Sequence, residues 1–207
     1  MQQFSKPSLN RRTFLAALPA GLLAAPAWAA TPPSIGEAAE VSGKVVARNR
    51  KDIRKLDKGA ALMLKDSVET AVNSFARLEL AGRTTVHLGS HARLVIDRFV
   101  AEAGGVLEIG EGAMVLDRAE NLPKIDLTIR SRFGLIAVRG TKFFAGPSKV
   151  AFGVFVVRGA VEVTAAGVSR KLKAGDGVDF AAEGQPPGEV KKWKKKRIAA
   201  ALASAGL

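Results

Sequence analysis

Hydrophobic alternation with a period of two, cut at short intervals by glycine turns, governs most of this chain. The run "SFARLELAGRTTVHLGSHARLVIDRFV" at residues 74–100 sets the pattern. Phe75, Arg77 and Glu79 fall on one face of a strand and Ala76, Leu78 and Leu80 on the other. A Gly82-Arg83 turn leads to a strand through Val86 and Leu88, and a Gly89-Ser90 turn to another through Leu94 and Ile96. The pattern returns around Gly110 and Gly112, through Ile125, Leu127 and Ile129, and on either side of Gly159, "AAGVS" and "AGDG". No helical periodicity intervenes to imply a parallel α/β sheet. The reading is an all-β domain of roughly ten to twelve short strands, either an antiparallel β-sandwich or a short β-solenoid. Composition agrees: aromatic residues are 6% with no tyrosine and Gly numbers 21, so Val, Leu, Ile and Ala must build the core. At 207 residues the chain suits one domain.

The first thirty residues differ in kind. "LNRRTFLAALPAGLLAAPAWAA" has a basic start, an apolar stretch over residues 14–25, and Ala27 and Ala29 flanking Trp28, the form of a cleavable export signal. Arg11-Arg12 followed by Thr13, Phe14 and Leu15 resembles the twin-arginine signal, which carries folded proteins across a bacterial inner membrane. Asn10 and Ala16 depart from that pattern, and the ordinary unfolded route is the other reading. The apolar stretch is shorter than a bilayer span and holds Pro19 and Pro26. A periplasmic or otherwise exported product, soluble or peripheral after cleavage, is expected. With no cysteine there can be no disulfide, thiolate metal site or lipoprotein anchor.

Net charge is +13. Lys6, Arg11 and Arg12 lie in the signal, which leaves about +10 for the mature chain. Such a surface suits an acidic protein, an anionic envelope polymer or lipid headgroups. Nucleic acid fits an exported protein least. The charge is densest in "EVKKWKKKRIAAALASAGL", which reads as a basic amphipathic helix over residues 190–207, with Gly206 at its C-terminal cap and Pro186 and Pro187 before it. Lys191, Lys192, Trp193, Lys194, Lys195, Lys196 and Arg197 are the candidate interaction residues. One reading docks Trp193 and Leu202 on the β-domain and leaves the lysines in water. The other makes the helix a membrane-surface or polyanion-binding element. The resulting division is signal 1–30, linker 31–39, β-domain 40–182, Pro/Gly linker 183–189 and helix 190–207.

Catalytic chemistry finds little support. His87 and His91 form H-x3-H, for which Asp97 or Glu79 is the third ligand to consider, but two histidines in a glycine-broken segment do not make a metal site. There is no cysteine nucleophile, no G-x-S-x-G elbow and no phosphate-binding glycine loop with its lysine and serine. Spacing selects no pair among the 19 acidic residues. A non-enzyme is expected, with no catalytic, cofactor or metal residues.

The order of motifs resembles a FecR-type domain over about residues 40–180. The matching positions are Gly43 to Val45; Gly59, Leu62, Asp66, Val68 and Thr70; and Ser74, Ala76, Leu78, Leu80, Val86 and Leu88. They continue with Val138 to Phe143, then Val156, Gly159, Val161 and Val163, and finally Leu172, Ala174 and Gly175. The most specific piece is "VRGTKF", with Val138, Arg139, Gly140, Thr141 and Phe143 as a structural motif. There glycine permits a positive φ, threonine can satisfy a turn group, and arginine can tie strand-end carbonyls or an acid such as Asp117 or Asp126. The resemblance implies an extracytoplasmic, non-catalytic protein-interaction or sensing module. Known members regulate sigma factors through a cytoplasmic segment and a membrane helix, and the signal at that place here sets an expectation against direct sigma-factor regulation.

Overall fold

The computed structural model describes residues 34–207 apart from Gly82, Glu120, Lys124 and Arg139. The export signal read over 1–30 lies outside the described residues. Strand β1 (Gly36–Ser42) belongs to a first sheet, β2 (Val45–Asn49) and β3 (Asp52–Lys55) to a second. The chain then returns to the first with β4 (Ala61–Leu62), crosses with β5 (Ser67–Thr70), and comes back as the hairpin β6 (Phe75–Leu80) and β7 (Thr84–Leu88). β8 (Arg93–Val100) and β9 (Gly104–Glu111) pair in the second sheet and β10 (Met114–Arg118) in the first. Three more hairpins alternate: β11 (Asp126–Ser131) with β12 (Gly134–Val138), β13 (Lys142–Pro147) with β14 (Phe152–Arg158), and β15 (Ala160–Ala165) with β16 (Val168–Lys173). β17 (Asp176–Phe180) and β18 (Lys191–Lys192) close the first sheet, and α1 (Lys195–Ser204) ends the chain.

Two nine-stranded sheets result, in the orders β18-β17-β14-β13-β10-β7-β6-β1-β4 and β16-β15-β12-β11-β9-β8-β5-β2-β3. Both orders run nearly with the chain, so the sandwich is built from one end to the other as a solenoid is. Among the described residues all strand pairs are antiparallel except β9 with β11. Among the described residues there are eighteen strands where ten to twelve were expected, because several apolar runs break into separate short strands as the chain changes sheet. The first strand also begins at Gly36, inside the expected 31–39 linker. Ala38 is fully buried there, and the glycine lies so close to β6 that a Cβ would come 2.3 Å from the Glu79 carbonyl oxygen.

Period-two alternation fills the space between the sheets. Ala76, Leu78 and Leu80 of β6 and Val86 and Leu88 of β7 enter one continuous core with Leu94, Ile96, Ile129, Phe143 and Val154. β8 departs once from strict alternation. A bulge between Ile96 and Arg98 keeps the arginine outside and returns Phe99 to the core.

Buried polar groups tie the crossings. The fully buried Asp66 carboxylate accepts from both Arg54 guanidinium arms, from Asn49 Nδ2 at 3.0 Å and from the Met63 amide at 2.8 Å. Thr70 Oγ1 donates to the Gly89 carbonyl at 2.6 Å and accepts the Ala92 amide at 2.8 Å.

Candidate interaction site

The corner at residues 138–143 joins β12 to β13. Val138 is buried at the end of β12 and Phe143 is fully buried in β13. Between them Gly140 has φ +59° with open space around its Cα, so its conformation calls for glycine and its surroundings do not. Thr141 is fully buried and its hydroxyl donates to the Ala160 carbonyl at 2.8 Å. Gly159 abuts the corner, where a Cβ would meet the Gly140 carbonyl oxygen at 2.8 Å. Arg139 lies outside the described residues. Of its two suggested acidic partners, Asp117 and Asp126, the first is engaged by Lys142 at 3.1 Å and Arg158 at 2.8 Å.

A second apolar cluster lies on the outer face of the first sheet. His87, Val115, Phe144, Phe155 and Gly177 stand in register across five strands, and Val115, Phe144 and Phe155 are buried. The cover is Trp193 and α1. The indole stacks on Phe155 at 5.2 Å between centroids and tilts against Phe144 at 6.3 Å. Gly177 makes room for it, since a Cβ there would come 2.1 Å from the indole Nε1. Ile198, Ala201, Leu202 and Ala205 of the helix region complete the cluster at the i, i+3, i+4, i+7 spacing of one face. A Schellman closure ends the helix: the Gly206 amide donates to Ala203 at 3.0 Å and Leu207 to Leu202 at 3.1 Å, with Gly206 at φ +84°.

This placement corrects the expected helix over 190–207. Lys191 and Lys192 form the edge strand β18 on β17, Trp193 is 8% exposed and points into the sheet, and helix begins only at Lys195. The indole needs an extended backbone to reach the notch at Gly177, which a helix through 193 cannot supply. The seven candidate residues therefore divide. Lys194, Lys195 and Lys196 are exposed. Lys192 Nζ donates to the Ala174 carbonyl at 3.0 Å and pairs with Asp176 at 2.7 Å. That hydrogen bond, with the Lys173 amide, holds the Asp176 carboxyl below its usual range. Arg197 turns inward, its guanidinium 3.5 Å above the Trp193 ring and forked onto Asp179, with Ser148 alongside. Ser148, Asp179 and Gly177 carry no signal in the sequence beyond ordinary turn chemistry.

His87 and His91 are not brought together as ligands. His87 faces outward on β7, while His91 occupies the following turn at φ +54°. No group of three or more histidines and acids that could hold a metal occurs among the described residues. His87 instead lines a cleft of about 490 Å³ with Glu40, Phe75, Arg77, Ala205 and Gly206. Burial first, then the Lys142 and Arg77 charges, lower its pKa. Arg77 pairs with Glu40 at 2.8 Å, and its hydrogen bond holds that carboxyl low.

No helix among the described residues is long and apolar enough to cross a membrane. Two crystal structures, at 2.50 and 1.65 Å, of a proposed anti-sigma factor from Parabacteroides distasonis ATCC 8503 are similar in fold, with TM-scores of 0.53 and 0.52 at 18% identity. Each similarity covers 66% of this chain and 63% or 64% of the other, so the match spans less than two thirds of those proteins. No curated protein matches the chain. Residues 66–162, from the buried Asp66 carboxylate through the Gly140 corner to the strand after Gly159, match the family model described as FecR protein. That match covers just under half of the chain and lies within a two-sheet β fold that continues on both sides of it.

Proposed function

We propose that this protein is a non-enzymatic, extracytoplasmic signalling module that works by binding a protein partner or an anionic envelope polymer. The FecR match carries the reading. The structurally similar Parabacteroides distasonis protein is described as a proposed anti-sigma factor, a regulatory and not a catalytic class. In this reading residues 1–30 direct export and are removed, and the folded domain acts outside the cytoplasm.

Affinity capture on the tagged full chain in its native cell envelope, followed by elution in rising salt, tests the proposal. Screening shortens the reach of exposed charge from about 10 Å at 0.1 M to about 3 Å at 1 M salt. A discrete stoichiometric protein or polymer retained at high salt is the expected result. Recovery of nothing beyond diffuse anionic material, all lost at moderate salt, overturns it.

A second reading, polyanion binding through the basic C-terminus, is favoured by one observation. Lys194, Lys195 and Lys196 are exposed and make no ion pair among the described residues. Membrane insertion of α1 is not favoured, because its apolar residues Ile198, Ala201 and Leu202 already face the sheet.

A further inference from the structure

A cleft of about 480 Å³ opens between α1 and the turn that follows β13. Its walls are Pro147 at the end of β13, Lys149 from the turn, Lys194 just before the helix, and Lys196, Ala200 and Ala201 from the helix, with the edge of Trp193 in the floor. The floor is apolar and the rim is basic. Arg197 also borders it but is neutralised by Asp179, whose carboxylate is taken up by that fork and by Ser148 Oγ at 2.7 Å. Lys149, Lys194 and Lys196 have no ion pair among the described residues, and no carboxylate lines the cleft.

We infer that this cleft binds an acidic peptide segment of a protein partner that carries a single apolar anchor side chain. The inference rests on the protein-binding reading above and names the chemistry of its partner. Three uncompensated ammonium groups around one opening select negative charge and repel basic segments. The volume lies in the range of small-ligand sites, suited to one large side chain and its flanking backbone. Desolvating that side chain against Trp193, Ala200, Ala201 and Pro147 adds an attraction that salt does not screen. A nucleic acid finds no stacking platform, because the indole is 8% exposed and already stacked on Phe155. A bilayer finds no free apolar face on the helix.

The probe is a fluorescein-labelled nonapeptide of Asp and Glu with a central Phe, titrated by anisotropy against the full chain. Saturable binding is expected, weakened roughly tenfold or more by Lys149→Glu with Lys196→Glu. Ala200→Trp, which fills the cleft without changing charge, and a peptide with Ser for Phe should each lose about tenfold. Thermal melts monitor folding of the variants. All three changed residues border solvent, and the lysine pair remains informative if Ala200→Trp does not fold. No saturable binding, equal affinity for the Phe and Ser peptides, or binding indifferent to the lysine and Ala200 changes overturns the inference. Binding only to phosphatidylglycerol vesicles, lost in the same variants, overturns it in favour of membrane contact. A salt-resistant partner retained equally by wild type and the lysine variant refutes the cleft and leaves the signalling module standing, whereas loss of any such partner from wild type refutes the module itself.

Discussion

Replacing Trp193 by Ala should release the C-terminal helix from the first sheet. A tryptophan buries about 150–250 Å², and this one is 8% exposed, so removing it forfeits on the order of 4–6 kcal/mol at about 25 cal/mol per Å². Measured Trp→Ala costs of about 3–5 kcal/mol agree. Loss of the Phe155 stack and of the Arg197 guanidinium above the ring acts in the same direction. The inter-sheet core contains none of these residues, so the damage should be local. A ten-residue helix with no side-chain N-cap and no acid in its first turn is marginal alone in water. Hydrogen exchange should therefore show amides of 195–204 losing protection while those of β13 keep it, and helical circular dichroism should fall. The full cost would lower the melting temperature by roughly 6–20 °C in a domain of this size, which is the upper limit if the helix leaves first. Gly177→Ala should reproduce the effect, because its Cβ would lie 2.1 Å from the indole nitrogen. Unchanged helix protection together with a wild-type melting temperature in both variants would refute the docking argument.

Elsewhere in the fold, Asp66→Ala should strip Arg54 of its carboxylate and leave the Met63 amide unpaired, costing about 2–4 kcal/mol in urea unfolding after allowance for the partly exposed arginine. Gly140→Ala should cost about 1–2 kcal/mol from its positive φ alone. Gly159→Ala should cost more than Gly140→Ala in the same assay, because it adds a clash with a backbone oxygen to a φ of +80°. His87 binds a proton less readily in the folded chain than at its ordinary value of 6.5. The unfolded state therefore takes up more protons as pH falls below 6.5. His87 accordingly contributes stability that is full above 6.5 and is lost as pH falls through the lowered folded value. Melting scans between about pH 7.5 and 5 should show that loss, and His87→Gln should flatten it.

Much of the sheet architecture is legible because a half-buried strand must alternate. Ala76, Leu78 and Leu80 announce their face directly. The strand count is less legible, since β4 and β18 are only two residues long and are defined by their partners and not by any pattern of their own. The second apolar cluster did leave a trace. "AMVL", "KFFAG" and "FGVFVV" are apolar on both faces, and a strand buried on both faces requires a cover on the side away from the core. That the cover is Trp193 with α1 cannot be read locally. The notch at Gly177 and the Arg197 anchors Asp179 and Ser148 lie 16, 18 and 49 residues away along the chain. For the same reason the lysine run reads as one helix, although tertiary packing of a single indole draws residues 191–193 into an extended segment.

The motif residues also bear on where a partner would be recognised in the proposed reading. Asp66, Val68 and Thr70 hold crossings or fill the core, Gly140 and Thr141 shape a corner, and Val138 and Phe143 are buried beside it. None of these side chains is presented to solvent, so changing one should act on binding only through stability. In the proposed reading, specificity then comes from exposed positions outside these buried residues. The cleft meets that condition on both sides, because Pro147 and Lys149, at and just after the end of β13, lie within the matched segment while Lys194, Lys196 and Ala200 lie beyond it. A site assembled from the family domain and an appended helix can change its partner by altering the helix alone. Grafting Trp193 to Leu207 onto another domain of this fold should therefore transfer peptide binding only if the acceptor keeps a counterpart of Lys149, an outward apolar cluster and a glycine at the position of Gly177 to seat the tryptophan that precedes the helix.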